Sequence, residues 1–559
     1  MAITAPPTRR AQATAPLLTG LLTLALIATA CASTGSGSPN GQTDGTTARD
    51  NTGIVETKDA EKVTVGGKLV YGLSGETNGW NPGTNQWAAS GLQVGRAIFD
   101  TLAAYDERSE IHPFLAQAFE HNPDNTQWTI KLRPDVKLHN GKPVDATVVM
   151  RNLTYLKTSP ITGGAFRYVK DIAVRDPMAV TVDLTEPWAT FPILLASQVG
   201  VVGDSDWMES KDSLKPIGTG PFTFDSWEIG NKLTVKKNPD YWRKDPDGLR
   251  YPYLDTIEFR PMPDQASRAA ALKAKDIDIV ETYSWQQIRD FKADPDVQTF
   301  SNPAGEIPED FVLLNTKAPP FDDVDARRAL AYATDRDAIV DLLSGGSAEQ
   351  ADGIFQKESP WYADSGYPQF NLEKAKELVA KVKERHGSFA FTSLAVPSQD
   401  SRQQILQQQW AAAGIEVKLQ TVEQASLIIN VVTGSFQATN WLQFSAPDPG
   451  ADSLWVDPDL ATTPPNFTLN FSRITDPELG AAYRTARASG DPQVRKDAFV
   501  TVQKRMADQV PFVFLFHQQV AIVATDRVQN IVKWTLPDGA KGLDIQEGAH
   551  PLYQISLKA

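Results

Sequence analysis

The side chains able to do acid–base, nucleophilic or metal chemistry are thinly and irregularly placed. Six histidines (His112, His121, His139, His386, His517 and His550) are scattered along the chain, with no pair at metal-ligand spacing. No metal site and no cofactor is therefore expected. The chain has no His-Glu-x-x-His, no Gly-x-Ser-x-Gly and no Gly-x-x-x-x-Gly-Lys, so zinc-protease, nucleophile-elbow and nucleotide-hydrolase readings have no support. Gly218-Thr219-Gly220 runs straight into Pro221 and does not complete a dinucleotide fingerprint; a backbone that needs tight turns accounts for it. The 68 acidic residues guarantee accidental carboxylate pairs, so a glycosidase-like pair carries no signal. No catalytic residue is predicted, and the chain reads as something other than an enzyme.

Covalent chemistry is assignable at one position, Cys31, the only cysteine. One thiol makes no internal disulfide. Arg9 and Arg10 precede an uncharged apolar run over 17–30. That run is shorter than the roughly 20 residues needed to span a bilayer and suits the core of a secretion signal. Ala28-Thr29-Ala30-Cys31 resembles a bacterial lipobox, whose cysteine is diacylated and becomes the new N-terminus, although Ala28 stands where leucine is usual. Plain cleavage after Ala30 is the alternative. Ala11-Gln12-Ala13 lacks the large apolar residues of a twin-arginine signal, so general secretion is expected. Residues 32 to about 59 are Ser-, Thr-, Gly-, Asn- and Asp-rich and cannot bury enough surface to offset their ordering entropy. The N-terminus thus reads as signal peptide 1–30 and lipid-anchored tether 31–60, placing the body at the outer face of a bacterial cell membrane.

The elements behind that tether are those of a large mixed fold. At 559 residues, 41% hydrophobic and 22% charged, the chain is too long for one ordinary domain and apolar enough for several cores. A net charge of −14 repels nucleic acid. Apolar–polar patterns predict strands at Lys68–Gly72, Trp128–Leu132, Val180–Leu184, Phe222–Glu228, Lys232–Lys237, Phe389–Phe391 and Glu416–Leu419. They predict helices at Leu92–Leu102, Asp325–Leu343, Leu372–Glu384, Arg402–Ala413 and Pro492–Gln509, plus one after an Asp145 N-cap. Alternating strands and helices give the α/β class.

Four stretches in order carry a resemblance. The first runs from Phe99-Asp100-Thr101-Leu102 through Trp128-Thr129-Ile130-Lys131-Leu132 to His139-Asn140-Gly141-Lys142-Pro143-Val144. The second is Pro216-Ile217-Gly218-Thr219-Gly220-Pro221-Phe222 with Asn238-Pro239-Asp240-Tyr241-Trp242. The third joins Leu314-Asn315-Thr316 to Thr334-Asp335-Arg336, and the fourth is Asp491-Pro492 with Arg495, Asp508 and Pro511. Together they resemble the family 5 bacterial extracellular solute-binding proteins, which include dipeptide-, oligopeptide- and nickel-binding receptors of ABC importers. The resemblance implies a two-lobed clamshell of cluster C type with an extra inserted subdomain. Lobe I would comprise 61–98, 188–303 and 520–559, the inserted subdomain 99–187, and lobe II 304–519. It also implies a monomer that takes a peptide-like or other small solute between its lobes and delivers it to a membrane permease and ATPase.

Ligand residues follow only by resemblance. In peptide-binding relatives an aspartate three residues after a tryptophan pairs with the peptide's α-amino group. The matching tryptophan is Trp441, and the third residue on is Phe444; Asp448 is the nearby acid that would stand in. Trp80, Asn81 and Trp87 lie in a loop that faces the cleft in the family. An apolar platform of Trp441 and Phe444 leaves an oligosaccharide receptor as the alternative, with a secreted hydrolase behind it. Thr219 and Asn315 sit in family motifs and are expected to be structural. Nickel is the least expected cargo.

Overall fold

A computed structural model describes residues 63–558, apart from 86, 211, 302–307, 397–399, 444–447 and 461–469. Cys31, the secretion signal, the tether and Phe444 lie outside the described residues. No described helix is long and apolar enough to cross a membrane.

Two sheets with separate cores organise the body. The seven-stranded sheet has the spatial order Val297–Ser301, Ala521–Thr525, Ile279–Thr282, Lys68–Leu73, Thr256–Pro261, Lys232–Lys237, Phe222–Glu228. The six-stranded sheet has the order Glu349–Gln350, Phe512–His517, Glu309–Leu314, Ala438–Gln443, Ala390–Ala395, Glu416–Thr421. Leu69, Ile257, Ile279 and Phe222 belong to the first core, and Val312, Leu330, Trp410 and Val513 to the second. A four-stranded antiparallel sheet (Ala116–His121, Gln127–Leu132, Ala179–Leu184, Val169–Asp176) packs into the first core. The molecule is a two-lobed α/β protein.

The family stretches turn out to be joints between distant parts of the chain. Gly218 N–H donates to His139 Nδ1 (3.2 Å), and His139 Nε2 lies 3.0 Å from Gly220 O. The first bond makes Nδ1 the acceptor, so the ring proton sits on Nε2 and donates to Gly220. Gly218 and Gly220 are not in the left-handed backbone region. What demands glycine is proximity: a Cβ on Gly218 would lie 2.0 Å from Ile98 O. Gly220 N–H donates to that same carbonyl at 2.9 Å.

Tertiary contacts also redraw two helices. The pattern over 92–102 gives a helix at Ala89–Ile98, and Phe99 is already extended. The pattern over 325–343 breaks into Val324–Ala333 and Arg336–Ser344. Thr334 is extended and accepts a hydrogen bond from the buried Trp410 Nε1 (2.9 Å), while Asp335 caps the next helix through Ala338 N–H (3.0 Å).

Candidate functional site

Chain direction fixes which ends of the two sheets face each other. The chain leaves the first sheet after Ser301, enters the second at Glu309, and returns from His517 to Ala521. In register, Thr282 pairs with Ala521, and Leu73 lies beside Pro261 on strands parallel to Ile279–Thr282. The C-terminal ends of these parallel strands therefore point at the second lobe. There, Glu309 pairs with both Gln443 and His517, and Ala390–Ala395 runs parallel to Ala438–Gln443. Its C-terminal ends point back at the first lobe. In open α/β sheets, ligands bind outside the carboxyl ends of strands, and here two such edges meet.

On the first lobe this edge carries Glu281, which is buried. Its Oε1 accepts from Ser74 N–H (3.0 Å) and from the hydroxyls of Ser74 and Ser90, while Oε2 has no hydrogen-bond partner. On the second lobe it carries Asp310, 2% exposed, ion-paired to Arg402. Arg402 also lies 5.4 Å from the Phe516 ring centroid. Burial pushes the Asp310 carboxyl up to about 6, against the opposing pull of Arg402. Asp310 Oδ1 and Arg402 Nε remain without partners.

Asp310 faces Leu442, and Val312 faces Asn440, across one antiparallel pair, which puts Asp310 and Asn440 on the same face of the sheet. Asn440 is 0% exposed, and neither its Oδ1 nor its Nδ2 has a partner. Ser393 Oγ, on the next strand, is equally alone. Buried polar groups are nearly always hydrogen-bonded, so the unanswered atoms of Asp310 and Asn440 on one face of the sheet, with Arg402 beside them, demand an explanation.

Of the residues anticipated from sequence, Trp441 shares a strand with Asn440, while Trp80, Asn81 and Trp87 precede helix Ala89–Ile98 and Asp448 precedes helix Pro449–Val456. Trp80 and Trp87 are buried, 6.4 Å apart between ring centroids, with Trp80 against Trp227 and Trp87 stacked on Phe99. Asn81 is buried; its Nδ2 donates to Met208 O (2.7 Å), and its Oδ1 accepts from Gly83 N–H and the Tyr155 hydroxyl. Trp441 is half-buried, edge-on to Phe471 at 5.4 Å. Asp448 caps helix Pro449–Val456 through Gly450 N–H and takes both Arg495 Nη atoms at 2.5 and 2.9 Å. Both of its oxygens are thereby engaged. Asn315 Nδ2 ties Phe436 O and Gly434 O, and the Thr219 hydroxyl accepts from Asp100 N–H. Asp106, Glu110 and His112 offer ligand atoms within 4.8 Å of one another, but Arg108 bridges the two carboxylates at 3.3 and 2.9 Å.

Residues 110–462 match the family model of the bacterial extracellular solute-binding proteins, family 5 (middle region). This chain belongs to that family. The glutathione-binding protein GsiB of Salmonella paratyphi A is 26% identical over 470 residues, covering 81% of this chain and 89% of GsiB. The binding protein AgaA of A. tumefaciens R10, solved with agropinic acid, is 26% identical with TM-score 0.77, covering 88% of this chain and 99% of AgaA. DppA of Helicobacter pylori, solved with the peptide STSA, shares the fold at 21% identity and TM-score 0.78, covering 89% of this chain and 99% of DppA. The family and these relatives are binding proteins, and this family member is a solute-binding protein.

Asp310, Arg402 and Asn440 were not among the residues singled out from sequence, yet two of them leave a trace there. Asp310 follows Glu309 at the start of the strand Glu309–Leu314, whose six residues are all buried. Arg402 sits in the first turn of helix Asp400–Ala412, where the helix dipole disfavours a cation. A charge placed against its local preference is a cue for function or for a tertiary partner.

Proposed function

We propose that the chain is the extracytoplasmic receptor of a bacterial ABC importer. Acylated Cys31 and the tether hold it at the outer face of the membrane. It captures a small polar, peptide-like solute between its lobes and passes it, as a monomer, to a permease and its ATPase. Lobe I (61–98, 188–303, 520–559), the inserted subdomain (99–187) and lobe II (304–519) are the parts that move.

The supporting observation is the polar edge of the second lobe. Asp310 Oδ1 and Asn440 Oδ1 lack donors, while Arg402 Nε and Asn440 Nδ2 lack acceptors. A solute with adjacent donors and acceptors, such as an amide or an amine beside a carboxylate, satisfies all of them. A purely apolar one leaves each unpaired at a cost of about 1–3 kcal/mol per group. Family membership and relatives that hold glutathione, agropinic acid and a peptide agree with that chemistry.

The test is thermal unfolding against small peptides including glutathione, amino-acid–sugar conjugates, oligosaccharides and chelated nickel. A bound solute at a hundred times its Kd stabilises by about 2.7 kcal/mol. Asp310→Asn is expected to weaken that solute at least tenfold while the chain stays folded. Stabilisation by oligosaccharides alone, or an unchanged response in Asp310→Asn, removes Asp310 from the site.

A further inference from the structure

The two lobes also touch well away from the polar edge, at Arg487. This arginine lies on helix Pro477–Ala488, whose Leu479, Tyr483 and Ala486 are part of the second lobe's core. Its side chain is 6% exposed. Nη1 bonds Asp457 of the same lobe at 3.1 Å. Everything else it holds lies on the first lobe's side, Tyr168 and Glu186 in the inserted subdomain and Ala189 in lobe I. Nη2 bonds Glu186 at 3.1 Å, the guanidinium lies 3.7 Å from the centroid of the Tyr168 ring, and the Arg487 carbonyl accepts from Ala189 N–H at 2.8 Å. Tyr168, with its neighbours Trp188 and Phe191, is part of the first lobe's core. None of these contacts involves Asp310, Arg402 or Asn440.

We infer that Arg487 is a closure latch: it sets how tightly the protein holds its solute by stabilising the closed arrangement of the lobes, without touching the solute. The inference rests on the solute-capture reading above. Its logic is differential. If the lobes part, Arg487 keeps Asp457 and loses Tyr168, Glu186 and Ala189, so these three contacts favour the closed arrangement alone. Only interactions that differ between two states shift their populations. A half-exposed partner such as Glu186 contributes little by itself, but a desolvated guanidinium against an aromatic face contributes more. Apparent affinity then scales with the fraction of molecules already closed. The buried Asp457 holds the guanidinium in place on its own lobe, so the latch is preorganised before closure.

Arg487→Ala alone is a poor test, because it leaves Asp457 buried without its cation. The informative changes are on the opposing side, in the inserted subdomain that packs into the first lobe's core: Tyr168→Ala with Glu186→Gln. In a chain carrying Cys31→Ser, cysteines introduced at the exposed positions Asn231 and Lys381 become the only thiols. Spin labels there report the lobe separation by pulsed electron resonance with no solute added. The closed population is expected to fall about tenfold relative to the open one in the double variant, with Arg487→Lys intermediate. An unchanged distance distribution in the folded double variant overturns the latch, as does a wild-type chain that is already fully open. Because no solute enters this measurement, the latch can stand even if every solute in the thermal panel fails, and the reverse also holds.

Discussion

Asp448 and Asp310 each face an arginine in the second lobe, and they differ in what is left of the carboxylate afterwards. Asp448 spends one oxygen on both Gly450 N–H and an Arg495 Nη, and the other on the second Nη. Asp310 gives one oxygen to Arg402, and its other oxygen has no partner in a buried setting. The completed pair fixes helix Pro449–Val456 against helix Pro492–Gln509, with both carboxylate oxygens bonded. The incomplete pair stands at the strand ends where the two lobes meet. An acid's neighbours decide its use, and spacing from a tryptophan does not report them.

Exchanging the roles experimentally gives the largest effect. Asp448→Ala removes one side of a nearly buried bidentate pair and a helix cap. It should cost about 4 kcal/mol, most of it from leaving Arg495 buried without its anion. Urea unfolding reads this as a lower midpoint at unchanged slope. The solute response that depends on Asp310 is expected to survive in whatever fraction remains folded. A variant of full stability that no longer binds solute would reverse the two assignments.

Acid separates the unfinished site from a finished one in the first lobe. Burial pushes His139 down to about 4, and its neutral tautomer is fixed by Gly218 and Gly220. A base with a depressed folded pKa binds fewer protons when folded, so its contribution is present above about 6.5 and is lost as pH falls to about 4. Asp310 has the opposite sign: pushed up to about 6, it binds more protons when folded, so stability rises as pH falls from about 6 toward 4. Each effect is at most about 3 kcal/mol. Denaturant midpoints between pH 7 and 4.5 should therefore fall less steeply in His139→Gln and more steeply in Asp310→Asn than in the unsubstituted chain. Parallel curves for all three would mean that neither group is as buried as its contacts require.

Local chemistry made much of the fold legible. The strands Phe222–Glu228 and Lys232–Lys237 and the helix Pro492–Gln509 fall where their patterns place them, because alternation, an Asp491 cap and a proline in the first turn are all written within a few residues. Asp145 likewise caps its helix through Val148 N–H. The break at Thr334 was not legible, since the apolar periodicity runs straight through it and the partner that holds it, Trp410, is distant in sequence. At the polar edge, Asn440 was illegible for the same reason. Asn440 follows Trp441's strand pattern like any other residue, and only the packed sheet reveals that nothing answers its amide. Trp80 and Trp87, read from sequence as aromatic side chains in a loop, pack against Trp227 and Phe99, neighbours distant or unmarked in the sequence.

The smallest expected effect discriminates best, because one substitution made in two places should change sign. Asn440 and Asn152 are both buried asparagines, 0% and 1% exposed. Asn152 is complete: Nδ2 donates to Ser205 Oγ at 3.0 Å, and Oδ1 accepts from Gly203 N–H at 2.8 Å. Asn152→Leu strands both partners and should destabilise by about 2 kcal/mol. Asn440→Leu strands nothing and removes an unpaired buried amide, so it should stabilise by about 1 kcal/mol while weakening solute binding. That pairing of gained stability with lost binding is the signature of a group held ready for a ligand. If Asn440→Leu instead destabilises as Asn152→Leu does, its amide is already satisfied within the folded chain, and Asp310 must recognise the solute without it.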